Sequence, residues 1–117
     1  MNATSLTELR DRLRLFVAER DWDQFHAPRN LAMSVMIEAA ELGEHFQWSG
    51  AHDAPVDDAR REAIAHEMAD VLLYLVRLAD KLDIDLLEAA SRKLELNAVK
   101  YPVEKARGRS TKYTELD

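Results

Sequence analysis

A chain of 117 residues, 47% apolar and 32% charged, has the make-up of a single ordinary globular domain spanning residues 1–117. Its formal charge of −6 argues against duplex nucleic acid or an acidic membrane as partner, and no apolar run approaches the roughly 18 residues of a membrane span. The lack of cysteine excludes a disulfide framework, a thiolate metal site and a Cys nucleophile; with a start, Met1 to Thr4, too polar for a signal peptide, a cytoplasmic protein is expected.

Ser5 followed by Glu8 reads as a capping box opening a first helix to about Arg20, with Leu6, Leu9, Leu13, Phe16 and Val17 as its apolar stripe. A short aromatic connection from Asp21 to Ala27 leads to a second helix, Pro28 to about Trp48, buried along Leu31, Val35, Leu42 and Phe46. Ser49 to Pro55 is a loop by composition. A third helix starts near Asp57 or Asp58 and runs to about Leu82. Between Ala69 and Ala79 it is apolar almost all round, broken mainly by Asp70 and Arg77. Such a helix needs cover on nearly every side, which points to self-association through it. Asp85 with Glu88 caps a fourth helix that ends at Tyr101, before Pro102. The tail, Val103 to Asp117, is polar, basic in its first part and without helical period. The expected fold is all-α.

Two acid pairs stand at helical spacing inside apolar runs: Glu38 with Glu41, and Glu67 with Asp70. Like charges three apart share one side of a helix, where repulsion at about 4 Å is worth roughly 1 kcal/mol in water and more near a protein surface. A cation among them is therefore expected, and oxygen ligands of this kind suit Mg²⁺ or Mn²⁺. The competing reading is a pair of solvated acidic faces. A diiron carboxylate bundle would need Glu-x-x-His, which is absent: His45 and His66 sit four after Glu41 and Glu62. Tyr74 shares a face with Glu67 and Asp70, and Lys93, Asn97 and Lys100 share one on the fourth helix, a set suited to a magnesium-bound polyphosphate. Trp22, Phe25, Phe46 and Trp48 are either core and lid or platforms on which a base stacks. Gln24 and His26 can meet a base edge, or His26 can cap the turn before Pro28.

Glu38-x-x-Glu41, a spacer of about 25 residues and Glu67-x-x-Asp70 together resemble the signature of the MazG-like nucleoside triphosphate pyrophosphohydrolases. The similarity is greatest to the dCTP pyrophosphatase branch, through Phe16 to His26, Pro28-Arg29-Asn30-Leu31, Phe46-Gln47-Trp48, Asp70 to Leu75, Lys93 with Asn97, Tyr101-Pro102 and Lys112 to Leu116. The resemblance implies a four-helix core of the all-α NTP pyrophosphatase type, assembled through helix packing into homodimers or homotetramers. It implies Mg²⁺ held by Glu38, Glu41, Glu67 and Asp70, and nucleotide lying against Trp22, Asp23, Gln24, Phe25, His26, Trp48 and Tyr74. Lys93 and Asn97 match positions associated with phosphates. One departure stands out: Leu13 occupies a position where dCTP-selective relatives carry histidine, and leucine cannot donate a hydrogen bond.

The activity so implied is Mg-dependent cleavage of a (deoxy)nucleoside triphosphate between the α and β phosphates, giving monophosphate and pyrophosphate. dCTP or a related pyrimidine deoxynucleotide is the expected substrate, and Glu41 is assigned the proton of the attacking water. The tail is assigned a docking role on a neighbouring subunit. The rival from another class is a non-catalytic helical oligomer that binds Mg-nucleotide as a sensor.

Overall fold

The computed structural model describes residues 1–48 and 55–116; most of the expected loop, Ser49 to Ala54, lies outside them. Among the described residues there are five α-helices, two short 3₁₀ turns and no strand. They fall into two compact units, Met1–Ile84 and Asp85–Asp117.

In the first unit, α1 (Leu6–Glu19) opens as expected, with Ser5 Oγ accepting from the Glu8 backbone N–H at 3.0 Å. The reciprocal half of the box differs. The Glu8 carboxylate reaches Thr4, taking its backbone N–H at 3.1 Å and its hydroxyl at 2.8 Å. α1 closes on a Schellman turn: Trp22 N–H donates to the Val17 carbonyl, Asp21 N–H to that of Ala18, and Asp21 is left-handed at φ 54°. Aspartate tolerates that region better than most residues. The turn folds the chain back so that Trp22 meets Phe16 edge to face at 5.7 Å. A 3₁₀ turn, Asp23–Phe25, follows.

α2 (Pro28–Glu44) starts at its proline and stops short of the expected Trp48. Gly43 weakens its last turn, and the Arg60 guanidinium takes up the His45 carbonyl that another helical turn would have used. α3 (Asp58–Lys81) is capped by Asp57 and ends on a second aspartate-based Schellman turn at Asp83, with Ile84 N–H donating to the Ala79 carbonyl at 2.8 Å. α1 and α2 both pack on α3. Among the described residues, Val17, Leu31, Val76 and Ala79 are the buried apolar side chains of the core.

In the second unit, α4 (Leu86–Lys100) is capped by Asp85, as the sequence indicates. The tail corrects the expectation of irregular chain, since it forms α5 (Val103–Ala106) and a 3₁₀ turn at Tyr113–Glu115. Gly108 supplies a left-handed residue between them, at φ 75°. The Tyr113 ring packs edge to face on Tyr101 at 6.1 Å and lies 4.8 Å from the Lys100 ammonium. The tail thus makes its contacts on the end of its own α4.

Candidate metal and nucleotide site

Helical spacing puts Glu38 on one face of α2 and Glu67 with Asp70 on one face of α3. Packing of the two helices then brings one carboxylate oxygen from each of the three to within 4.8 Å of one another. All three side chains are half-buried. Glu38 Oε2 and Glu67 Oε2 are buried acceptors without a hydrogen-bond partner, an arrangement that is costly unless something positive meets them. Three converging carboxylates, two of which carry an orphaned oxygen, fit a divalent cation of the Mg²⁺ or Mn²⁺ kind.

Glu41, one turn on from Glu38, stands beside the trio rather than within it. Burial pushes the Glu38 carboxyl up to about 7, helped by a hydrogen bond shared with Glu41 and by the charges of Glu41, Asp70 and Glu67. His45 approaches Glu67 at 3.9 Å; the sequence reading gave it no part.

Asp70 is also part of the wall of a cavity of about 200 Å³, lined besides by Leu13, Phe16, Val17, Trp22, His26, Leu73, Tyr74 and Arg77. The carboxylate cluster therefore adjoins an aromatic and aliphatic chamber between α1, the Asp21–Ala27 connection and α3. Trp22, His26 and Tyr74 come together there. Leu13 lines the same chamber, so its departure from the dCTP-selective pattern falls on the cavity wall.

The other expected nucleotide contacts have these surroundings. Gln24 donates to the Asp21 carbonyl at 2.9 Å and to its carboxylate at 3.0 Å, so its amide stabilises the turn. Asp23 pairs with Lys81 at 2.7 Å and Arg77 at 2.5 Å, which hold its carboxyl below the usual range. Phe25 is exposed, and Trp48 is 92% exposed; neither lines the cavity. Lys93 and Asn97 are on α4, in the second unit, with Lys93 exposed and Asn97 half-buried.

Arg77 is the residue the sequence reading left without a role. It is buried, at 8% exposure, and donates to His26 Nδ1 at 3.1 Å, Asp80 at 3.3 Å and Asp23 at 2.5 Å. Asp80 in turn receives a two-pronged contact from Arg14, at 2.8 and 2.5 Å, which does most to hold its carboxyl low. The signal was present in the sequence as the one cation inside the apolar stretch Val71 to Ala79.

The model of the MazG-like family matches residues 33–116. The chain is 46% identical to dCTP pyrophosphatase 1 of Rattus norvegicus over 104 residues, which cover 86% of this chain and 61% of that protein. The corresponding Homo sapiens protein gives the same identity and coverage. The chain thus spans about three-fifths of the length of these curated relatives. Among solved structures, a pyrophosphatase from Archaeoglobus fulgidus superposes with a TM-score of 0.79 at 43% identity, covering 87% of this chain and 96% of that one. On the family match, which takes in the carboxylate cluster, and on these likenesses in sequence and fold, the chain belongs to the MazG-like family.

Proposed function

We propose that this protein hydrolyses a nucleoside triphosphate between its α and β phosphates, releasing monophosphate and pyrophosphate, with dCTP or a related pyrimidine deoxynucleotide as substrate. The observation that carries the proposal is the junction at Asp70, where a carboxylate cluster with orphaned oxygens meets a cavity walled by Trp22 and Tyr74. The relatives' names agree with this reading.

Glu38, Glu67 and Asp70 would hold the divalent cation, Mg²⁺ by preference, with Glu41 completing the set. Bound there, the cation supplies neutralisation of phosphate charge and polarisation of the attacking water. The residues do the rest. Trp22 offers its ring to the base, and the apolar walls around Leu13, Val17 and Leu73 exclude water from that end. Glu41, outside the close trio, takes the proton of the attacking water at its carboxylate. Lys93 and Asn97 are proposed as phosphate contacts on the sequence resemblance alone.

Assembly into a homodimer or homotetramer belongs to the same proposal. Met36 and Ile37 of α2 and Met68 of α3 are 58%, 51% and 57% exposed, apolar side chains that a neighbouring subunit would cover. A cytoplasmic setting, where nucleotides are made and consumed, is likewise proposed.

The test is a panel of deoxynucleoside and ribonucleoside triphosphates with Mg²⁺, products resolved by ion-exchange chromatography. Monophosphate and pyrophosphate without diphosphate are expected, fastest from dCTP. A thermal shift with nucleotide but no product would favour the non-catalytic sensor, and no response to any nucleotide would sink both readings.

A further inference from the structure

Within the cavity, the polar group whose protonation the surrounding structure dictates is the His26 imidazole. Arg77 Nε–H donates to His26 Nδ1 at 3.1 Å. A guanidinium carries donors only and does not lose its proton in proteins, so Nδ1 must present a lone pair. The single imidazole proton then belongs on Nε2, the position being assigned by the hydrogen-bond network.

We infer that Arg77 is a positioning residue that locks His26 as the neutral Nε2–H tautomer, so that the cavity offers an N–H donor to a carbonyl oxygen or bare ring nitrogen of a nucleobase. The inference rests on the nucleotide reading above and adds to it a definite hydrogen-bond polarity.

The surroundings support the lock. Burial comes first in disfavouring the imidazolium, with the Arg77 charge next and Lys81 adding to it, while Asp23 pulls the other way. Asp80 and Asp23 accept from the two terminal nitrogens of Arg77 and so hold its guanidinium in place while Nε meets the imidazole. Asp80 is itself pinned by Arg14 across α1 and α3. Salt bridging alone would not require Nε on the histidine. Here all three types of guanidinium nitrogen are engaged, and the one on His26 decides which of its two nitrogens is left for a ligand.

A base meeting this donor must present an acceptor. Cytosine does so at both O2 and N3, whereas uracil and thymine carry a proton on N3, so a donor opposite N3 would select cytosine. Leu13, Val17 and Leu73 in the same wall offer no hydrogen bond of their own. Polarity is therefore concentrated on few groups, and losing one of them has a measurable effect.

The experiment uses the full-length protein in EDTA, so that catalysis plays no part. Two-bond nitrogen–proton NMR of ¹⁵N-histidine-labelled protein should show His26 with a bare Nδ1 and a protonated Nε2, and adding dCMP should shift the Nε2 signal. A protonated Nδ1, or a His26 signal indifferent to saturating dCMP, overturns the inference. In turnover with Mg²⁺, His26→Leu should raise KM for dCTP by about tenfold with kcat little changed. His26→Gln, whose amide N–H falls near Nε2, should restore KM to within about threefold of wild type. Equal KM values for the two variants overturn it as well. Arg77→Met should release the tautomer; if that variant does not fold, the wild-type spectrum and the Leu–Gln contrast still decide. A correct tautomer with a dCMP-dependent shift but no triphosphate hydrolysis would sink the hydrolase reading and leave this one standing.

Discussion

Replacing Glu38 by Gln should make the metal-free protein more stable, in a way that depends on pH. The Glu38 carboxyl is displaced from 4.5 to about 7 by burial among like charges. At about 1.4 kcal/mol per tenfold change in proton affinity, the displacement corresponds to about 3 kcal/mol. Solvent around a half-buried cluster screens it to about 1–2 kcal/mol. Because the folded-state value lies above the unfolded one, the penalty is absent below pH 4.5, grows as pH rises towards 7 and is complete above that. Gln cannot ionise and escapes it. For a chain of this length, 1 kcal/mol moves Tm by about 4 °C. In EDTA at about pH 8, Glu38→Gln should therefore melt about 4–8 °C above wild type by circular dichroism. At the acid end the two should melt together. Adding MgCl₂ should raise the wild-type Tm and leave the variant nearly unmoved. Identical melting of both proteins across the pH range, or an undiminished magnesium response in the variant, would refute the reasoning.

Glu67→Gln, which removes an orphaned oxygen from the same cluster, should abolish turnover while far-ultraviolet circular dichroism keeps its helical shape. Trp22→Ala should raise KM for the preferred nucleotide by about tenfold, through loss of a stacking face in the cavity, whereas Trp48→Ala should change it less than about threefold. Asp80→Ala leaves Arg77 buried with less compensation and should cost about 3 kcal/mol in urea denaturation. The Asp80 carboxyl is held below 3.8, so the stability it contributes is present above that pH and lost as pH falls through its lower folded value; an acid titration of the wild type should show this loss. Ile37→Lys places a cation on the exposed apolar surface of α2 and should shift light-scattering mass towards the monomer.

Much of this could be read one residue at a time because the causes are local. Ser5, Asp57 and Asp85 cap helices through bonds spanning three residues, and the sequence marks each of them. The glutamate three residues on in α1 instead bonds to Thr4, since cap geometry rather than spacing decides which N–H it reaches. The end of α2 escaped the reading because its terminating partner, Arg60, comes from another helix. The two Schellman turns escaped it too, for they use aspartate where glycine is the usual sign.

The sequence by itself determined the four long helices and that each acid pair occupies one face of a helix, because a period of 3.6 residues fixes neighbours three and four apart. Only the tertiary structure decided that oxygens from α2 and α3 converge within 4.8 Å, that Trp48 stands away from the cavity, and that Arg77 reaches back to His26 and Asp23, 51 and 54 residues earlier. Those contacts depend on how helices are laid against one another and where a turn returns the chain. Neither is encoded in any single stretch of periodic residues.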